Sequence, residues 1–331
     1  MQKKTYILFS MIIALGVFAA ACAPSPEVEP TKAPVLVPTD IPPTSEPTKE
    51  PKPEPIIVTD DLGVEIVLKN PAQAIISISP SLTEILFSVG AGDSLIGRDS
   101  NSMYPENALE AVDLGGMWDG IPVEVILAME PDLILAGEIY SAEAIAELRE
   151  LGLVVYWQAN PVTFEGLFDN ILDISVLTGT EDQAVEVVAS LEDRFIALQT
   201  KLKDVDELPL VFYELDASEP ANPWTTGAGT FISYVISQAK AQNLGDSLAG
   251  AWVQISSEEL IAQNPDVILL ADALYGVTPE SLAERAGWSD ISAVVNGEVY
   301  GFDPFILSVP GPRLVDGFEQ VVEILHPEVN E

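Results

Sequence analysis

The 331-residue chain has one cysteine, one histidine and few basic residues: 14 lysines and arginines stand against 52 aspartates and glutamates. One cysteine excludes an intramolecular disulfide and every multi-cysteine metal site. One histidine excludes multi-histidine metal sites and leaves a single candidate imidazole base. The net charge of −38 excludes a nucleic-acid backbone as partner, because a polyanion demands a basic face. It equally opposes side-chain adsorption on an anionic membrane. Yet 48% of residues are hydrophobic and 20% charged, so the chain is not a disordered acidic protein. The length suits one large domain or two ordinary ones.

Neither end of the leader reads as fold. Lys3 and Lys4 precede an apolar run from Tyr6 to Phe18, and Ala19-Ala20-Ala21-Cys22 follows. That is a signal peptide's order over residues 1–21, too short for a membrane span. The lone cysteine directly after small residues resembles a bacterial lipoprotein signal, with Ala19 where such signals usually carry Leu. Cys22 is therefore expected to carry lipid and to anchor the protein outside the cytoplasm, on the cell membrane. In residues 23–55, eleven of 33 positions are proline. This segment cannot build a core and reads as an extended tether. Residues 1–55 hold six of the acids and five of the lysines, so the remaining body keeps 46 acids and nine bases. The acidity belongs to the folded part.

The body alternates apolar strands with helices, which implies α/β architecture with mainly parallel sheets. Ile56–Thr59 and Val64–Leu68 flank an Asp60-Asp61-Leu62-Gly63 hairpin turn. Ala74–Ser79 reads as a strand, and Leu82–Val89 as a helix opened by Ser81 or a neighbour. Glu181–Leu202 is a long helix without Gly or Pro, after which the pattern restarts. The restart is a repeat. Trp118 precedes Glu124 by six residues, and Pro131-Asp132-Leu133-Ile134-Leu135 follows; Trp252, Glu258 and Pro265-Asp266-Val267-Ile268-Leu269 have the same spacing. Gly92-Asp93-Ser94-Leu95 also matches Gly245-Asp246-Ser247-Leu248, placing an insertion of 19 residues in the first half. Two similar lobes are expected, residues 56–179 and 204–331, joined by a helix at 180–203, with a cleft between them.

The segments Ile76–Glu84, Met103-Tyr104-Pro105, the two Trp–Glu–Pro-Asp units, Asn222–Gly227 and Gly311-Pro312-Arg313 resemble one family. It is the periplasmic binding proteins for cobalamin and ferric siderophores, the substrate-binding components of ABC importers. The resemblance spans about residues 56–327. It implies a monomer of two lobes with a rigid joining helix and no catalytic chemistry. It also implies an ABC permease and its ATPase as partners, and a corrinoid or ferric chelate as transported ligand. By the same resemblance, Glu124 and Glu258 would each meet an Arg of the permease. Trp118, Trp224 and Trp252 would line the cleft, joined by Tyr104, Tyr140, Tyr213, Tyr275 and Phe305. Flat aromatic faces suit a macrocycle or chelate.

Other candidates come from the residues themselves. Ser79, Pro80 and Ser81 open a helix, and a helix start offers free N–H groups to a ligand acceptor. Arg98 and Arg313 are two of only five arginines and could reach an acidic ligand group, and Asp303 precedes Pro304-Phe305. Nine bases in the body oppose a strongly anionic ligand and favour a near-neutral corrinoid or hydroxamate chelate. Haem, which needs one Tyr or His ligand, is an alternative suggested by Arg98–Tyr104. The Gly-Asp-Ser-Leu pairs, with His326 and Glu323, raise a second alternative, a surface serine hydrolase. Both tetrapeptides follow a helix and a turn rather than the first strand, which opposes it.

Overall fold

A computed structural model describes residues 54–116 and 120–330. The signal segment, Cys22, almost all of the tether and Trp118 lie outside the described residues.

The N-terminal lobe begins with an antiparallel hairpin of β1 (Ile56–Thr59) and β2 (Glu65–Leu68). Its turn is held by Asp60, whose Oδ1 accepts the N–H groups of Leu62 and Val64. The main sheet has the parallel order β5-β4-β3-β6-β7, from β3 (Ile75–Ser77), β4 (Leu95–Arg98), β5 (Val112–Asp113), β6 (Leu133–Gly137) and β7 (Val155–Gln158). Helices α1 (Pro80–Ser88), α2 (Val123–Met129), α3 (Ala142–Glu150) and α4 (Phe164–Thr178) connect and follow these strands. All five residues of β6 are buried, as a central parallel strand covered on both faces requires.

Helix α5 (Glu181–Lys201) then carries the chain to the C-terminal lobe. It opens with Glu181 and Asp182 and closes with Lys201, matching the helix dipole at both ends. The second sheet has the parallel order β10-β8-β12-β13, from β8 (Leu210–Glu214), β10 (Gln242–Asn243), β12 (Val267–Leu270) and β13 (Val299–Gly301). A small antiparallel pair, β9 (Trp224–Thr226) and β11 (Trp252–Gln254), sits beside it. The helices are α6 (Phe231–Gln238), α7 (Ser257–Gln263), α8 (Pro279–Leu282), α9 (Ser292–Asn296), α10 (Pro304–Leu307) and α11 (Leu314–Leu325).

The sheets are the same device used twice, with β5 as one extra edge strand in the first. The repeated Pro-Asp units show why. Helix α2 ends at Glu130 (φ 50) and α7 at Asn264 (φ 53), both left-handed. Pro131 and Pro265 then bar further helix. Asp132 Oδ2 accepts the N–H groups of Gln73 and Ala74, and Asp266 Oδ2 accepts that of Leu210. Each aspartate thereby ties the start of one strand to the start of its neighbour.

The Gly-Asp-Ser-Leu equivalence does not survive. The first copy leads into β4, whereas the second follows β10. The equivalent points are the stops of α1 and α6. Ala91 N–H bonds Leu86 O, and Ala241 N–H bonds Ile236 O, across Gly90 and Lys240 at positive φ. The insertion of 19 residues counted from the tetrapeptides was therefore measured between non-equivalent places. Ser79, not Ser81, is the N-cap of α1, and Pro80 occupies its first position.

One apolar core runs across the lobes. Phe164 of α4 lies 4.8 Å from Phe195 of α5, 5.5 Å from Phe318 of α11 and 5.7 Å from Tyr234 of α6, ring centre to ring centre. Such pairs add about 0.5–1.5 kcal/mol each beyond their buried area. Arg194 of α5 bonds Asp316 and Glu319 of α11. This continuous packing opposes wide hinge motion.

Candidate functional site

In both sheets the parallel strands deliver their C-terminal ends to a cleft of ≈ 800 Å³ between the lobes. Ligands of open α/β sheets sit at such strand ends, because the loops there are free to vary while the strands stay fixed. From the N-terminal lobe come Ser79, Pro80 and Ser81 after β3, Gly137 and Glu138 at the end of β6, and Asn160 beyond β7. From the C-terminal lobe come Asp216 after β8, Ala271 after β12, and Pro304 and Phe305 beyond β13. A Cβ on Gly137 would lie 2.8 Å from Ser79 Oγ, so glycine lets β6 close up against the α1 cap.

Aromatic side chains dominate one wall. Trp252 is 44% exposed and meets buried Phe231 edge-on at 6.0 Å. Tyr275, on the turn after β12, is 80% exposed and lines the same space. Phe305 faces both the cleft and a side pocket of ≈ 210 Å³. That pocket collects Tyr104, Asp303 and Arg313 with Glu84, Asn101 and Ser102.

The loop from Asp99 to Tyr104 is fastened to α1 by hydroxyls. Thr83 Oγ1 lies 2.8 Å from Ser77 Oγ and 2.9 Å from Ser102 Oγ, and Ser102 Oγ donates to Asp99 Oδ2 at 2.5 Å. Burial pushes the Asp99 carboxyl above its ordinary range, against the pull of these bonds.

Several expected residues lie elsewhere. Arg98 points away from the cleft: it is 7% exposed, bonds the Asp99 carbonyl and pairs with Asp113 at 3.3 Å. Tyr213 is fully buried as a residue of central strand β8, and its hydroxyl meets Ser308 Oγ at 3.0 Å. It supports the wall that Ser308 belongs to rather than forming it. Tyr140 packs in the N-terminal core, where burial pushes its phenol up to about 12, and its carbonyl accepts Trp157 Nε1–H. Trp224, 40% exposed, is not among the lining residues. It shares a face with Trp252 across the β9–β11 register, one step further out.

None of the described lysines lines either space, and each arginine is engaged by acid. Arg149 pairs with Asp60, Arg194 with Asp316 and Glu319, Arg285 with Glu214, and Arg313 with Glu84. The cleft therefore carries Glu138 and Asp216 and no base. Glu124 and Glu258 are exposed at the second residue of α2 and α7. Among the described residues neither carboxylate makes a hydrogen bond or ion pair. Ser256, not Glu258, caps α7 by accepting Glu259 N–H.

Residues 75–304 match the family described as periplasmic binding protein. The chain belongs to that family. This binding protein is 32% identical over 279 residues to the uncharacterized ABC transporter substrate-binding lipoprotein YvrC of Bacillus subtilis, covering 83% of this chain and 86% of that one. It is 24% identical over 329 residues to the cobalamin-binding protein of Halobacterium salinarum, covering 97% and 84%. The crystal structure of the periplasmic vitamin B12 binding protein BtuF of Vibrio cholerae superposes with a TM-score of 0.68 at 29% identity, covering 79% and 99%. Among the described residues no helix is long and apolar enough to cross a membrane.

The second Gly-Asp-Ser-Leu segment of this binding protein does structural work. Ser247 Oγ donates to the Leu244 carbonyl, and Asp246 Oδ1 accepts from Ser233 Oγ and Asn243 Nδ2. The His326 ring sits 2.9 Å from the Ala239 carbonyl at the end of α11. The hydrolase reading has no support from this arrangement.

Proposed function

We propose that the protein is the substrate-binding lipoprotein of an ABC importer, that it binds a corrinoid between its lobes, and that it presents it to the permease without catalysing a reaction. The observation that carries the ligand class is the charge of the cleft. A strongly anionic ferric complex would meet Glu138 and Asp216 with no base to receive it. Haem, with two carboxylates, meets the same obstacle, although Tyr275 offers a phenol. A corrinoid brings a flat apolar face for Trp252, Tyr275 and Phe305, and amide donors for the acids. Relatives and a solved neighbour named for cobalamin or vitamin B12 support this reading.

The remaining parts follow from the same role. Cys22 would hold the lipid, residues 23–55 the body's distance from the membrane, and Glu124 and Glu258 the two permease contacts of a monomer. The deciding experiment mixes the purified protein with cyanocobalamin, haemin and neutral and anionic ferric siderophores, and reads co-eluting visible absorbance. Co-elution of cyanocobalamin alone is expected. Co-elution of an anionic siderophore instead would overturn the corrinoid reading.

A further inference from the structure

We propose that Glu84 and Arg313 form a latch between the lobes that sets the spacing of the ligand cleft, so that both are positioning residues for binding. Glu84 lies on α1, four residues after Pro80, which forms part of the N-terminal wall. Arg313 lies just before α11, three residues after Pro310 of the opposite wall. Arg313 Nε and Nη2 both donate to Glu84 Oε1, at 3.1 and 2.5 Å, and Nη2 reaches the Phe305 carbonyl at 3.4 Å. The guanidinium also stacks 4.0 Å over the Tyr104 ring. One arginine thus ties α1, the Tyr104 loop and the Phe305 segment together at the seam.

The latch is built so that it can be released. Glu84 is 4% exposed, and its Oε2 has no hydrogen-bond partner. A Cβ on Gly311 would lie 2.8 Å from that oxygen, so glycine there makes room for the carboxylate. Such a half-satisfied buried acid is costly to keep charged. Burial pushes Glu84 up to about 7, against the bonds from Arg313 and with further help from Asp316 of α11. Tyr104 and Asp303 share its side pocket, and Arg194 of α5, already held by Asp316 and Glu319, lies on its other flank. Among the described residues no further cation lines the space on either side of Glu84. Protonation below neutral pH removes the ion pair, leaves Arg313 with Tyr104 and the Phe305 carbonyl, and loosens the two walls.

The test reads lobe spacing directly. The full chain carries Cys22→Ser with Glu147→Cys on α3 and Glu284→Cys beyond α8, both exposed positions, labelled with nitroxides. Pulsed electron paramagnetic resonance is expected to give a narrow distance distribution at pH 8 that lengthens and broadens at pH 6. Glu84→Gln and Arg313→Met should give the broad form at both pH values, and Arg313→Lys should recover part of the narrow one. A narrow, pH-independent distribution in the parent, or parental behaviour in both variants, overturns the latch. If a variant does not fold, the parental pH comparison decides alone. A second arm rests on the corrinoid reading: cyanocobalamin affinity at pH 8 should fall at least about fivefold in Glu84→Gln, the lower end of ordinary coupling between sites. Cyanocobalamin ignored by parent and variants alike counts against the ligand, while the distances still judge the latch.

Discussion

Replacing Trp252 by alanine tests whether the aromatic wall supplies binding energy. Trp252 is 44% exposed in the free protein, and its buried part leans on Phe231. A tryptophan presents on the order of 250 Å². The exposed share leaves roughly 110 Å² for a ligand face to cover, and at about 25 cal/mol per Å² its burial contributes about 2–3 kcal/mol. Truncation should therefore weaken cyanocobalamin binding roughly 100-fold by titration calorimetry. Stability should change far less, since the side chain sits at the edge of a two-strand pair and not in the core. The melting temperature, recorded alongside, separates the two effects. Affinity within threefold of the parent, in a variant that melts normally, would refute both the stacking argument and the placement of the ligand on this wall.

Replacing Glu124 and Glu258 together with alanine should leave cyanocobalamin affinity unchanged and abolish ATP-driven uptake in reconstituted vesicles; undiminished uptake would show that neither carboxylate meets the permease. Glu214 is fully buried against Arg285, and desolvation pushes its carboxyl up to about 7. A carboxyl raised on folding stabilises the fold below its unfolded value of 4.5, and that contribution is lost as pH rises toward 7. The parent should therefore lose about 1–3 kcal/mol more stability than Glu214→Gln between pH 5 and pH 8, by urea denaturation at each pH. Equal losses would mean that surface repulsion alone sets the slope.

The architecture was legible because the repeat is written in residues with fixed conformational duties. Pro131-Asp132 and Pro265-Asp266 end helices and tie strands, and both duties depend on those residue types at that spacing. The long helix expected over Glu181–Leu202 forms as α5, Glu181–Lys201. What escaped notice were short strands whose neighbours, not their sequence, make them strands. Leu95–Arg98 carries no strand expectation from the sequence, although it forms β4 between β3 and β5. The site was half legible. Ser79, Pro80, Ser81, Trp252 and Phe305 line the cleft, as does Tyr275. Glu138, Asn160 and Asp216 were missed, yet each lies within two residues of a strand's C-terminal end. Taking the residues just past every buried strand would have found all three. Tyr140 and Tyr213 failed for the converse reason. One packs against the N-terminal core and the other lies buried on a central strand, and residue type alone cannot separate such positions from a wall.

The arginines make a sharper point about charge. With 46 acids in the body, scarcity of bases already argued against an anionic ligand, but three arginines at the cleft would have reversed that conclusion. Four of the five stand clear of both the cleft and the side pocket, and the fifth, Arg313, spends its charge on Glu84. Under the proposed function, ligand charge preference follows from which acids sequester the few cations, and only secondarily from the net total. On this logic Glu84→Gln should do more than loosen the seam. It frees a guanidinium beside the cleft, so a variant that binds cyanocobalamin less tightly should bind an anionic ferric chelate better than the parent does. Paired titrations of the two ligands against parent and variant would show the affinities moving in opposite directions. Affinities that fell together would mean that spacing alone, and not the released charge, governs what the cleft accepts.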